Sequence, residues 1–380
     1  MKNLQPAAPS RARIVWLDLL KLLAIFMMIA NHCVDNVTPL ERSEPWYNLW
    51  GSLYNTTTRP AIPLFAMVTG ALLLPISTGV STFYKKRLSR LIVPFLIWSL
   101  LYNLFPWITG LLGLDASVIN FFFVNAEPSQ SLGDALHYIA LIPFHFSPFA
   151  IQMWYVYVLI GLYLYLPFFS AWVGQASQRE KQLFLGLWFI TLFTPYIRQY
   201  LTADLWGTCS WNEYGMLYYF AGFNGYLLLG HYLMTYPVSW SWAKLHRVCI
   251  PLFAIGYAVT CYGFKTITAT PGQPDTLVEL FFLFCSPNVM LMALALFLYA
   301  QKLRIESPRL QRLLKSGSVC TLGIWMSHYF FLGPCYALVE GLPIHTLLKM
   351  VLSSILLLLV TWAFVAWVLR WKGVGKWIMG

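Results

Sequence analysis

The sequence predicts an all-α integral membrane protein of about ten transmembrane helices, with both termini cytoplasmic. Three observations carry this expectation. Hydrophobic residues make up 59% of the 380 and charged residues only 10%, against about 25% charged in soluble domains, and the mean hydropathy is +0.63. Apolar runs of about 20 residues, the length that crosses a bilayer, recur along the chain. Basic residues gather on alternate connections, as the positive-inside rule requires.

The expected spans are 15–35, 60–78, 90–112, 151–172, 183–202, 214–234, 247–267, 277–300, 319–340 and 346–369. A cytoplasmic tail, 1–14, with Lys2, Arg11 and Arg13 leads into the first span. An outer segment, 35–58, with Asp35, Glu41, Arg42 and Glu44, leads to Arg59 at the mouth of the second. The basic turn Lys85, Lys86, Arg87 and Arg90 opens the third span on the inner side. The longest outer connection, 113–150, is rich in aromatics and proline and is expected to lie on the membrane as a short helix and turns. Arg179 and Lys181 precede the fifth span, Lys244 and Arg247 the seventh. Lys302, Arg304, Arg309, Arg312 and Lys315 precede the ninth, and Arg370, Lys372 and Lys376 follow the tenth in a cytoplasmic tail, 371–380. Outer segments hold few cations: Arg42, Arg59, Arg198, Lys265 and Lys349.

The net charge of +11 therefore orients the chain and attracts anionic lipid, and is not a nucleic-acid signal. The first apolar run is too long and too charged for a cleavable signal peptide. Most of the 17 Trp and 22 Tyr fall near span ends, as interfacial belts do. The spans need one another to hide their polar groups, so 1–380 is expected to be a single transmembrane domain. The seven cysteines show no metal-ligand spacing, and no metal is expected. Cys33, Cys209 and Cys335 fall near the outer side, where a disulfide can form, but as membrane residues they read first as small apolar groups.

The first span holds the residues that a bilayer tolerates least: Asp18, Lys21 and His32. A helix turns 100° and rises 1.5 Å per residue, so Lys21 and His32 share a face about 16 Å apart. Asp18 lies three residues before Lys21 and is expected to pair with it. Ionisable groups at membrane depth must face protein or water, and mark function by default. An imidazole can take a proton from a hydroxyl acceptor, while Lys and Arg at the inner mouth can hold the phosphates of a cytoplasmic donor.

These residues also resemble the membrane acyltransferase 3 family, whose members O-acylate polysaccharides and related surface acceptors. DLLKLLAIFMMIANH matches the family's acidic residue, basic residue and His in the first helix, with Lys21 where Arg is commoner. RPAIPLFAMVTGALLLP resembles the next block, with Arg59, Pro63, Phe65 and Gly70, and Thr69 in place of Ser. FYKKRLSRLIVPFLIW resembles its basic turn, and MWYVYVLIGLYLYLPFF, YYFAGFNGYLLLGHYL and LGIWMSHYFFL its later blocks, the last placing His328. The resemblance implies acetyl-CoA as donor from the cytoplasm, an extracytoplasmic polysaccharide acceptor, and a multi-pass protein of the bacterial inner membrane, working beside a polysaccharide synthase or secretion complex.

The expected catalytic set is His32, Arg59, Asp18, Lys21 and His328, with Lys85, Lys86, Arg87 and Arg90 holding the donor. His32 is read as the general base rather than a satisfied core histidine, because of its depth and motif. Asp18 and Lys21 either orient the donor or merely neutralise each other. Arg59 is a clamp on the acyl oxygen or donor phosphates, or an interfacial anchor. The basic turn satisfies the positive-inside rule by itself, and His328 beside Ser327 is equally a helix-to-helix hydrogen bond. Glu213, Glu279 and Trp154 read as interfacial before acceptor-binding, and His137 and His145 as surface residues. Direct attack on the thioester and an acyl-imidazole intermediate both fit His32, and the direct route needs no second nucleophile. The aromatic outer loop and the lack of an appended hydrolase-like domain favour an exopolysaccharide acceptor such as cellulose. The competing readings are a glycan or lipid-linked sugar transporter, against which the lack of an internal repeat weighs, and a scaffolding subunit of a polysaccharide synthase.

Overall fold

The computed structural model describes residues 13–41, 45–114, 130–212, 215–270 and 272–380. Glu213 and the middle of the long connection, 115–129, lie outside the described residues. Helices carry the fold: α1 (Val15–Glu41), α2 (Pro45–Thr58), α3 (Ala61–Leu73), α4 (Val80–Leu111), α5 (Leu132–Leu141), α6 (Trp154–Gln175), α7 (Gln178–Thr191), α8 (Thr194–Tyr200), α9 (Asn224–Thr235), α10 (Trp242–Thr268), α11 (Asp275–Val278), α12 (Pro287–Lys302), α13 (Pro308–Ser327), α14 (Tyr329–Glu340), α15 (Thr346–Val368) and α16 (Gly375–Met379).

Among the described residues, six stretches are long and apolar enough to cross a bilayer: Val15–Val34, α4, Pro148–Gln175, α10, Leu280–Lys302 and α15. The pair α13 and α14 passes the same test as one span bent by 91°. The expected spans at 60–78, 183–202 and 214–234 hold shorter helices of 13, 14 and 12 residues, which at 1.5 Å per residue reach only about 20 Å of a core about 30 Å thick. Local chemistry cuts them short. Arg59 and Pro60 separate α2 from α3, Pro195 starts α8 two residues after α7 ends, and Gly222 precedes α9 in the left-handed region at φ 90°.

Two of these short helices are welded by glycine. A Cβ on Gly70 would fall 1.9 Å from the Leu227 carbonyl oxygen, and one on Gly230 would fall 1.9 Å from that of Met67. The backbones of α3 and α9 therefore touch. Without a hydrophobic driving force between helices in lipid, such close approach supplies the van der Waals attraction that holds them. The crossing aims His231, buried on α9, at the Leu74 carbonyl oxygen 3.1 Å away.

The expected short helix of the long connection is α5. Its first turn is closed by a reciprocal capping box, in which Ser131 Oγ accepts from the Asp134 N–H and the Asp134 carboxylate accepts from the Ser131 N–H. The Ser131 hydroxyl also donates to Asp134 Oδ2 at 2.6 Å, and this bond, followed by that from the Ser131 N–H, holds the Asp134 carboxyl below its ordinary value of 3.8. Cys33, Cys209 and Cys335 are all free thiols.

The 91° break replaces the straight span expected at 319–340, and its cause lies in who takes two carbonyls. In a continuous helix the Trp325 and Met326 oxygens would accept from the N–H groups of Tyr329 and Phe330. Instead Trp325 O binds the His328 ring through Nδ1 at 2.8 Å, and Met326 O accepts from the Tyr102 hydroxyl at 2.9 Å. The same hydroxyl oxygen faces the backbone N–H groups of Tyr329 and Phe330. A side chain from α4 has thus been inserted into the ladder, a recognised cause of sharp kinks. Tyr102 is fully buried and stacks on Phe330 with centroids 4.5 Å apart.

Candidate active site

His328 forms the joint of that break, serving as the last cap of α13 and the first of α14. The bend carries His328 and Tyr329 to the face of α1 that holds His32. Tyr329 Oη lies 3.0 Å from His32 Nδ1, and the ring centroids of His32 and His328 are 5.2 Å apart. His328 is fully buried, and its Nε2 has no hydrogen-bond partner among the described residues. The structure therefore brings together His32 and His328, two expected site residues separated by most of the chain.

Arg59 reaches the same neighbourhood through a polar relay. Its Nη2 donates to Asn55 Oδ1 at 2.6 Å, the Thr58 hydroxyl is 3.3 Å from both Asn55 Oδ1 and Asn31 Oδ1, and Asn31 adjoins His32. The guanidinium also sits 4.0 Å over the Phe282 ring, a cation–π geometry that restrains a planar cation without discharging it. Phe284, 6.0 Å from the same guanidinium, stacks on Trp154 at 5.5 Å.

Toward the N-terminal ends of α1 and α4 lies a cavity of about 880 Å³, within the range of about 300–1,000 Å³ usual for small-molecule sites. Asp18, Lys21, Arg87 and Arg90 line it, together with Arg13 and His231. Lys85 and Lys86 are exposed and do not line it, so the basic turn divides into two cavity cations and two surface ones. The expected pairing of Asp18 with Lys21 is replaced. Arg13, just before the helix starts, folds back and holds Asp18 through both carboxylate oxygens, Nε to Oδ2 at 2.5 Å and Nη2 to Oδ1 at 2.9 Å. A rigid guanidinium fork matches a carboxylate better than an ammonium on a flexible stem does. Lys21 is left to face the cavity, so Lys21, Arg87 and Arg90 give its wall a positive surplus.

On three helices the lining stops in the direction of the histidines at an aromatic ring. These are Phe65 near the start of α3, Tyr155 near the start of α6, and Trp325 near the end of α13, one turn before His328. The rings pack as a layer, Tyr155 on Trp325 at 5.0 Å and Phe65 against Trp325 at 5.5 Å. The Trp325 indole N–H is committed to the Gln152 carbonyl at 3.0 Å.

The site thus combines a half-buried imidazole in contact with a hydroxyl, a cation-walled cavity, and an aromatic layer at the cavity's end. The family model for an acyltransferase domain matches residues 14–366. The chain belongs to the acyltransferase 3 family. Comparison with curated proteins and with solved structures gives no match. Its apolar helices and its membership together make it a multi-pass membrane acyltransferase. The match spans α1 to α15, so the cavity and the histidine pair both lie within the family's domain.

Arg13, Tyr102, Tyr155, His231 and Tyr329 were not among the expected site residues. Tyr329 follows His328 directly in sequence, and His231 ends a block already recognised as family-like. Arg13 counted only toward orientation. The remaining expectations keep their bland reading: His137, His145 and Glu279 are exposed, and Trp154 is half-buried against Phe284. Among the described residues, no group of three or more His, Cys, Asp or Glu could hold a metal.

Proposed function

We propose that this acyltransferase moves an acetyl group from cytoplasmic acetyl-CoA to a hydroxyl of an extracytoplasmic polysaccharide, with His32 as general base, in the bacterial inner membrane. The observation that carries the reading is the 3.0 Å contact between His32 Nδ1 and Tyr329 Oη. In the tautomer with its proton on Nδ1, His32 donates to the tyrosine oxygen and carries its basic lone pair on Nε2, the form a base requires. A base oriented by a third group is the arrangement common to activated acyl transfer.

The cavity supports the donor half. Lys21, Arg87 and Arg90 suit the phosphates of a nucleotide thioester, while Lys85 and Lys86 are left to the membrane surface. Asp18 acts through Arg13, holding a cation at the cavity mouth. Arg59 lies outside the cavity lining, which favours a role toward the acyl oxygen or the acceptor over one on donor phosphates. His328, fully buried with its ring 5.2 Å from that of His32, packs the base in place. An exopolysaccharide such as cellulose is the acceptor in this reading.

The test is purified protein with acetyl-CoA labelled in the acetyl group and cello-oligosaccharide acceptors, comparing wild type with His32→Ala. Loss of about 10²–10⁴-fold in transfer is expected for removal of a general base. Equal transfer by the two proteins overturns the reading. A scaffold or transporter role would leave His32 dispensable for label transfer.

A further inference from the structure

Tyr155 is 1% exposed, lines the cavity at its aromatic end, and carries a hydroxyl that no described residue satisfies. Its ring has no freedom to search for a partner. It stacks on Trp325 with an interplanar angle of 28° and meets Trp154 and Phe223 edge-on at 5.5 and 6.0 Å. A buried hydroxyl without a partner costs about 1–3 kcal/mol, and phenylalanine would supply the same packing without that cost. Such a group in a cavity wall is explained by a ligand atom that meets it. The neighbouring hydroxyls are already committed: Thr69 donates to Phe65 O at 2.8 Å, Thr235 to His231 O at 2.8 Å, and Thr321 to Ser318 O at 3.1 Å. The Trp325 N–H is committed likewise. Among the described residues, Tyr155 Oη is the one fully buried side-chain polar atom of the cavity lining without a partner.

We propose that the Tyr155 hydroxyl is a catalytic hydrogen-bond donor to the carbonyl oxygen of the donor thioester. The assignment rests on the acyl-transfer reading above. As the acceptor oxygen bonds to the carbonyl carbon, its proton passes to His32 Nε2 and the carbonyl π pair moves onto oxygen. The resulting oxyanion is held by the Tyr155 O–H. Collapse restores the C=O, breaks the C–S bond, and expels the thiolate, which takes the proton back from the His32 imidazolium. A fixed donor stabilises the charge without reorganising as it forms. Its position beside Trp325, whose carbonyl holds the His328 ring, ties the donor to the same bend that presents the base.

The experiment compares wild type, Tyr155→Phe and His32→Ala by steady-state acetyl transfer, thermal unfolding in detergent, and the infrared carbonyl stretch of bound 1-¹³C-acetyl-CoA. For Tyr155→Phe, kcat is expected to fall about 10²-fold, in the range for a lost oxyanion donor, with the KM for acetyl-CoA within twofold of wild type. Its unfolding temperature stays equal or rises, because no intramolecular hydrogen bond is lost. In wild type the carbonyl stretch of bound acetyl-CoA lies below that of the free thioester, and in Tyr155→Phe it moves back up. A wild-type kcat in Tyr155→Phe beside an inactive His32→Ala overturns the Tyr155 assignment alone. Full transfer by His32→Ala overturns the acyl-transfer mechanism beneath it. An unshifted carbonyl stretch in wild type overturns the assignment without recourse to a variant.

Discussion

Tyr102→Phe removes one oxygen atom and should straighten a helix. The hydroxyl donates to Met326 O at 2.9 Å and faces the N–H groups of Tyr329 and Phe330 in a fully buried position. The phenyl ring retains the 4.5 Å stack on Phe330, so packing changes little. Each backbone group left unpaired costs about 1–3 kcal/mol. Relaxation toward a continuous ladder recovers part of this, and a net loss of about 1–2 kcal/mol is expected, a factor of about 5–30 in the folded ratio. That same relaxation swings Tyr329 away from His32, so activity should fall by more than stability does. The assay pairs thermal unfolding in detergent with acetyl transfer. Unchanged unfolding together with unchanged transfer would refute the account of the bend.

The other predictions concern the base, the crossing, the donor wall and a cap. Tyr329→Phe should lower transfer about tenfold or more, because His32 loses the hydroxyl that orients its ring; unaltered transfer counts against the orientation argument. Gly230→Ala places a Cβ 1.9 Å from Met67 O and should cost several kcal/mol or prevent folding, read as loss of monodisperse protein on size exclusion, whereas Gly110→Ala, with open space around it, should behave as wild type. Arg87→Ala and Arg90→Ala should each raise the KM for acetyl-CoA about tenfold or more, with Lys85→Ala and Lys86→Ala near wild type, since only the first pair lines the cavity. At the cap of α5 the Asp134 carboxyl is depressed in the folded state, so its contribution is complete above the ordinary value of 3.8 and is lost as pH falls through the lower folded value. Protection of the 132–135 amides, measured against the intrinsic exchange rate at each pH, should therefore fall as the solution is acidified below 3.8, and constant protection would discount the cap.

What was legible in the sequence came from periodicity. Asp18, Lys21 and His32 share a helix, and a 100° step predicts their common face without any tertiary knowledge. The basic turn and Arg59 were legible as charge, but which charges face a cavity depends on where neighbouring helices stand, so Lys85 and Lys86 look like Arg87 and Arg90 until packing separates them. The pairing of Asp18 with Arg13 was hidden because helix spacing favours Lys21, whereas Arg13 stands before the helix begins, where that spacing does not apply. The bend was the least accessible feature. Its cause is a hydroxyl 224 positions away from the carbonyl it captures, and the local sequence IWMSHYFF holds no Pro or Gly to announce a break. The short helices misled for a related reason: hydropathy measures apolar length, and Arg59–Pro60, Pro195 and Gly222 interrupt backbone without lowering it much.

The aromatic layer of Phe65, Tyr155 and Trp325 also has an electrical meaning. A membrane enzyme that passes a group between two polar chambers risks becoming a leak for protons, because a continuous file of water conducts them. Tyr155 and Phe65 each pack on Trp325, at 5.0 and 5.5 Å, and so set apolar rings at the end of the cavity, where such a file would have to continue. For a membrane enzyme such an interruption matters, because an ion gradient is worth about 2.3 kcal/mol per charge at 100 mV.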